Sequence, residues 1–166
     1  MVYTMEVYVD GCCRGNGQPD AIGAAAAAFK QRNGSQKCWY RRLPAHPTPT
    51  NQRAELTNII LGLEKALEIW NELLTNPSLN VTIHSDSRYA IASLTEWIYN
   101  WENDNWLNAQ ENPVANQDLI QEAAGLGYRL KQCGCVAYVW IPREQNTVAD
   151  GTCNRCLGNA EEPLIR

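Results

Sequence analysis

Apolar residues follow two different rhythms along this chain. From residue 3 to residue 10 they alternate, with Met5, Val7 and Val9 on one face and Asp10 on the other, at the strand's end just before Gly11. That two-residue period predicts a strand. Residues 22–29 are ambiguous, because the run Ala24–Ala28 favours helix by propensity. A Gly-rich turn before them (Gly15, Gly17) and an Asn33-Gly34 hairpin signal after them favour a strand paired with residues 36–42. The chain is thus expected to open with a three-stranded antiparallel sheet. Residues 43–50, with Pro44, Pro47 and Pro49, read as loop.

From Asn51 the period becomes helical. Leu56, Ile59, Ile60, Leu63, Leu67, Trp70 and Leu74 recur at three- and four-residue steps, with Thr50 placed to cap and Asn76-Pro77 to terminate. A short strand follows over 81–85 and a helix over 87–99. Asn116 opens a further helix with Leu119, Ile120, Ala123 and Leu130 on one face, stopped by Cys133-Gly134. Residues 136–141 form the last strand, and a terminal helix runs from Asn146. The order of three strands, helix, strand, helices, strand, helix predicts one mixed α/β sheet with helices packed on it. No internal repeat or low-complexity segment interrupts it. One domain over 1–166 is expected, with a core of about 2–157 and a short tail at 158–166.

Composition adds constraints. The 45% hydrophobic and 19% charged content is that of an ordinary globular protein. No apolar stretch nears the roughly 20 residues that span a bilayer. The opening Met1-Val2-Tyr3-Thr4-Met5-Glu6 lacks the basic and apolar regions of a signal peptide. The chain therefore reads as soluble and intracellular, in the nucleus, cytoplasm or mitochondrion. Seven cysteines without a secretory signal argue against a disulfide framework. Cys133-x-Cys135 with Cys153-x-x-Cys156 has zinc-like spacing, but the pairs flank a strand that rises about 20 Å. Small buried apolar residues are the preferred reading for them. A net charge of −4 and a pI near 5.2 count against a nucleic-acid binder, which gains affinity by neutralising phosphates.

Four carboxylates change that picture. Asp10 closes the first strand, Glu55 lies in the first turn of the long helix, Asp86 follows the fourth strand and Asp150 sits in the terminal helix. If the first and fourth strands are neighbours, Asp10 and Asp86 come side by side, and the helices can bring Glu55 and Asp150 to them. Clustered carboxylates raise one another's pKa unless a cation neutralises them. Magnesium suits this role, and two ions about 4 Å apart can activate water and stabilise the leaving oxygen of a phosphodiester. Taken singly, an acidic residue is usually a solvated surface charge; local context lifts these four.

That context resembles the type 1 ribonucleases H, in a eukaryotic, fungal-like variant without a histidine loop. Val9-Asp10-Gly11-Cys12-Cys13 with Asn16 is similar to the family's first-strand motif, and Thr50-Asn51-Gln52-Arg53-Ala54-Glu55 to its most recognisable segment. His84-Ser85-Asp86-Ser87 resembles the third motif and Asn146-Thr147-Val148-Ala149-Asp150 the fourth. The spaced Trp97, Trp101 and Trp106 and Val114-Ala115-Asn116 also fit. The resemblance runs from about residue 2 to 157. It implies a ribonuclease H-like fold, with a five-stranded mixed sheet of three antiparallel and two parallel strands flanked by helices. It further implies an endoribonuclease that cuts the RNA strand of RNA–DNA hybrids, leaving 5′-phosphate and 3′-hydroxyl ends. Asp10, Glu55, Asp86 and Asp150 would be the catalytic residues and hold two Mg2+ ions, for which Mn2+ can substitute. Asn16, Asn51 and Gln52 would meet the RNA strand, where 2′-hydroxyls distinguish it from DNA. Thr50 and Asn116 would sit near a DNA phosphate, with Trp97 and Trp101 along the DNA path. Each has a plainer reading as well: Asn51 and Gln52 as a helix start, Asn116 as an N-cap, the tryptophans as core.

The sequence departs from the family at three places. The segment Ile141-Pro142-Arg143-Glu144-Gln145-Asn146 is short and has no histidine; the chain's histidines are His46 and His84. His84 reads as a packed strand residue, and Glu144 is the candidate substitute for the histidine loop. The region Trp101-Glu102-Asn103-Asp104-Asn105-Trp106-Leu107 carries two acids and no base where relatives grip the hybrid. Thr48 stands where relatives often have an arginine. The alternative is therefore a catalytically weak or inactive module of the same fold that binds nucleic acid or protein. A related exonuclease or transposase would leave residues 50–55 unexplained, whereas a retroelement origin stays open. The expected partners are an RNA–DNA hybrid and no membrane, for a monomer that a separate hybrid-binding domain or protein partner would assist.

Overall fold

The computed structural model describes residues 1–158, so the expected tail lies from 159 onward outside the described residues. One five-stranded sheet organises them, with strands β1 (Val2–Arg14), β2 (Ile22–Lys30), β3 (Gln36–Arg42), β4 (Ser78–Ser85) and β5 (Gly134–Trp140) in the order β3-β2-β1-β4-β5. The first three pair antiparallel, and β4 and β5 add parallel strands beside β1. This is the expected mixed ribonuclease H-like sheet.

The alternation in β1 sends Met5, Val7 and Val9 into the main core. The strand does not end at Asp10, however. β2 continues to pair with it as far as Arg14↔Ile22, so Asp10 lies inside the sheet and is almost fully buried. The alanine run forms a strand against its own propensity because both its faces are covered. Ala25 and Ala27 face the main core, while Ala24 and Ala26 pack with Cys153 and Leu157. Small side chains let helices approach on both sides.

Helix α1 (Asn51–Asn71) starts where expected, with the Thr50 hydroxyl accepting from the Arg53 N–H at 3.1 Å. It ends before Asn76-Pro77, and Leu74 is fully exposed beyond it rather than on the buried face. The chain folds back there, with the Trp70 indole donating to the Pro77 carbonyl at 3.0 Å. The helix expected over 87–99 is instead α2 (Arg88–Ala92), a π-helical turn (Ser93–Trp97) and α3 (Ile98–Asn103). Hydroxyls of Ser93 and Thr95 donate back to the Tyr89 and Ile91 carbonyls through this stretch. Helix α4 (Gln117–Lys131) packs on α1 and β5, and α5 (Thr147–Leu157) crosses the opposite sheet face over β1 to β3. Among the described residues no helix is long and apolar enough to cross a membrane.

Candidate active site

The parallel register brings the acidic residues together. Val9 pairs with Ser85, so Asp10 and Asp86 follow one another's strands side by side. Gly11 then determines how near α1 can come: a Cβ there would lie 2.4 Å from the Ala54 carbonyl carbon and oxygen. Only a missing side chain permits that approach, which sets the first turn of α1, with Glu55, against the β1 backbone at Gly11. On the other face, α5 delivers Asp150, whose carboxyl acts on that of Asp10.

Electrostatics follow from this packing. Burial first, then the Asp86 charge and the effect of Asp150, push Asp10 up to about 8. Glu55 is also raised by burial, against the Ser87 hydroxyl, which donates to it at 2.8 Å. Burial raises Asp86 too, opposed chiefly by the Arg143 charge. Among the described residues, no three His, Cys, Asp or Glu side chains close tightly enough to enclose an ion as they stand. The carboxylates nevertheless act on one another in the chain Glu55–Asp86–Asp10–Asp150.

The expected hybrid-facing residues form a connected polar strip. Asn16 accepts from the Asn51 N–H at 3.0 Å, joining the β1–β2 turn to α1. Asn116 donates to Gln52 at 3.2 Å and to the Tyr89 hydroxyl at 2.9 Å. Its own carbonyl accepts from Arg53 at 3.4 Å, and Arg53 also grips Asp118 with two bonds at 3.0 and 2.7 Å. Asn116 is therefore no ordinary N-cap. It makes no side-chain cap bond and takes a left-handed backbone, φ 62°, which asparagine tolerates better than most residues.

The tryptophans divide between the two readings. Tyr89, Trp97, Trp101 and Trp106 form a chain of rings with centroids 6.0–6.2 Å apart. Trp97 is exposed, whereas Trp101 and Trp106 pack against the core. Glu144 is exposed on a 3-10 turn (Arg143–Gln145). His84 is engaged elsewhere, 2.6 Å from Glu6 and stacked on Tyr8. Of the four cysteines with zinc-like spacing, Cys153 is fully buried and Cys133 and Cys156 pack partly buried against the core, as the small-apolar reading expects, whereas Cys135 is exposed.

Several site residues were given no role of their own by the sequence. Ser87 caps α2 and holds Glu55; its place directly after Asp86 at a helix start was the available signal. Asn146 donates to the Val9 carbonyl at 2.8 Å, and its own buried side-chain oxygen lacks a partner. The Trp140 indole donates to the Asp86 carbonyl at 3.2 Å beneath the Arg88 guanidinium, 3.8 Å from the ring centroid. Nothing in a linear pattern signals that last pair.

A mixed five-stranded sheet with carboxylates gathered at β1, β4 and the starts of two helices defines a protein of the ribonuclease H-like class. The chain belongs to the ribonuclease H family: the family profile described as RNase H matches residues 3–155. It is 29% identical over 166 residues to a ribonuclease H of Treponema denticola, covering 97% of this chain and 99% of that one. It is 35% identical over 164 residues to ribonuclease HI of Pasteurella multocida, covering 98% and 93%. Among solved structures, the foamy viral protease-reverse transcriptase in complex with dsDNA superposes with a TM-score of 0.68 at 20% identity, covering 91% of this chain and 92% of that one. RNase H1 from Halobacterium salinarum NRC-1 gives 0.63 at 19% identity, covering 95% and 100%. At such identities the structural likeness speaks for the fold.

Proposed function

We propose that this chain is a metal-dependent endoribonuclease that hydrolyses the RNA strand of RNA–DNA hybrids, leaving 5′-phosphate and 3′-hydroxyl ends. The observation that carries this reading is the buried Asp10, under the fields of Asp86 and Asp150. Such a group of like charges calls for a cation, and its all-oxygen donors suit a hard one. Asp10, Glu55, Asp86 and Asp150 would hold two Mg2+ ions, or Mn2+ in their place. When bound, the ions supply the positive charge that favours ionised water and a negative leaving oxygen at the phosphodiester.

The chain's own residues do the positioning. Ser87 fixes the Glu55 carboxylate, and Asn146 ties the start of α5 to β1, setting where Asp150 stands. Asn16, Asn51 and Gln52 present amides that both donate and accept, as recognition of 2′-hydroxyls requires. Thr50 and Asn116 would meet a DNA phosphate, with Trp97 and Trp101 beside that strand. The exposed Glu144 would relay a proton or ease product release. Glu144→Gln should then lower turnover several-fold without changing KM; unchanged turnover removes the role. Within the family we place the chain among eukaryotic, fungal-like members that lack the histidine loop, acting as a monomer.

The acidic region 101–107 favours a second reading, a weakly active binding module. It also predicts a shallow salt dependence. Hybrid affinity should change far less between low and moderate salt than the roughly 10³–10⁵-fold of a protein with six to ten phosphate contacts. Filter binding across a salt series measures it, and a steep slope would contradict the weak grip. A separate hybrid-binding domain or partner would supply the missing basic surface. The deciding experiment is cleavage of a labelled hybrid with magnesium, then manganese, beside duplex RNA, duplex DNA and single-stranded RNA. Metal-dependent cutting of hybrid RNA alone supports the enzyme. No cutting by folded protein in either metal favours the module.

A further inference from the structure

We propose that Cys12 and Cys153 form a reversible disulfide that staples α5 to β1 beside the carboxylate cluster, a modification site independent of the nuclease reading. The two sulfurs lie 2.7 Å apart although 141 positions separate them in the chain. A disulfide needs about 2.05 Å, so closure requires less than about 1 Å of movement. Cys153 is fully buried between Ala24 and Ala26, where its thiol faces the Ala24 carbonyl at 3.1 Å. Cys12 is partly exposed and can meet a soluble oxidant.

The elements carrying these thiols are held in place independently. Arg14 donates to the Leu157 carbonyl, and Arg42 donates twice to the Cys156 carbonyl, at 3.1 and 3.0 Å. These bonds tie the end of α5 to β1 and β3. The neighbouring thiol of Cys13 does not compete. Successive strand side chains point to opposite faces, and both residues sit in the β2 ladder, Cys12 opposite Ala24 and Cys13 opposite Gly23. A Cys12–Cys13 bond would break that pairing.

With hydrogen peroxide as oxidant, the chemistry balances in two steps. The Cys12 sulfur takes one peroxide oxygen to become a sulfenic acid, releasing water. The Cys153 sulfur then attacks it, forming the S–S bond and releasing a second water. Overall, two thiols lose two electrons and two protons to one peroxide. The bond joins the strand of Asp10 to the helix of Asp150, so it fixes the two elements that carry those acids.

The test treats the full chain with dilute peroxide or oxidised glutathione, alkylates the remaining thiols and maps peptides by mass. The expected product has lost the mass of two hydrogens and links the peptides of Cys12 and Cys153. Closing so long a loop should raise the Tm by roughly 5–10 °C, reversed by reductant. Cys12→Ser should show neither change, and Cys153→Ser provides the reciprocal control. A Cys12–Cys13 link, a lasting glutathione adduct on Cys12, or no link while exposed Cys135 reacts would each overturn the proposal. A fall in Tm on closure would also overturn it, since it would mean that the native fold holds the sulfurs apart.

Discussion

Replacing Asp10 with asparagine is expected to reduce hybrid cleavage by about 10³-fold or more and, in the absence of divalent ions, to make the protein more stable. The first effect follows from the proposed ion sites, where bound ions contribute several kcal/mol to the transition state. The second follows from burial. Asp10 is 6% exposed, and its carboxyl is raised from 3.8 to about 8 by that burial and by Asp86 and Asp150. A raised folded-state pKa means stability that is complete below the unfolded value near 4 and lost progressively as pH rises through about 8. An asparagine stays neutral over that window. The variant should gain on the order of 2–3 kcal/mol at pH 8 without metal, less than the full shift implies, because the structure relaxes around a buried charge. At pH 4 the two proteins should melt together. Thermal melts at both pH values, with chelator and then with magnesium, check this. Magnesium should raise the wild-type Tm and leave the variant nearly unmoved. A variant less stable than wild type at pH 8 in chelator would show that Asp10 is not held at a cost.

This opposition between function and stability explains what the sequence could reveal. The strands and the long helix were legible because alternation and helical periods record which faces are buried, as with Met5, Val7 and Val9; the pairing of β1 with β4 entered only as a condition. Motif context marked Asp10, Glu55, Asp86 and Asp150 before any geometry placed them together. Strand and helix ends were less legible. β1 runs to Arg14 because β2 pairs with it that far, and α1 stops early because Trp70 binds the returning chain at Pro77. Neither partner is local in sequence. The bonds of the Asn116 side chain were hidden for the same reason: they go to Gln52, Arg53 and Tyr89, from other helices, and not to the helix it opens. The Cys12–Cys153 contact joins residues 141 positions apart, and no periodicity announces it.

Gly11→Ala is expected to damage both stability and catalysis, because the residue lies where strand and helix backbones touch. The added carbon would sit 2.4 Å from the carbonyl carbon and oxygen of Ala54 and 2.9 Å from the Glu55 nitrogen. Those are backbone atoms, so no side-chain rotation relieves the overlap; the first turn of α1 must move off the sheet. Overpacking of this kind costs about 3 kcal/mol, near the upper end of its usual range. The displaced turn carries Glu55, and it carries Asn51 and Gln52, which bond Asn16 and Asn116. A shift of about 1 Å in such groups can lower turnover by roughly 10²-fold, so turnover should fall even in protein that remains folded. Gly125→Ala provides the contrast. That glycine is exposed in α4 with no atom within 4 Å of the added carbon, and the change should stabilise by about 0.5–1 kcal/mol with activity intact. Denaturant melts and single-turnover cleavage on both variants separate the causes. If Gly11→Ala melts like wild type and still cuts, then α1 has slack against β1, and the placement of Glu55 depends on the Ser87 hydrogen bond rather than on contact between the two backbones.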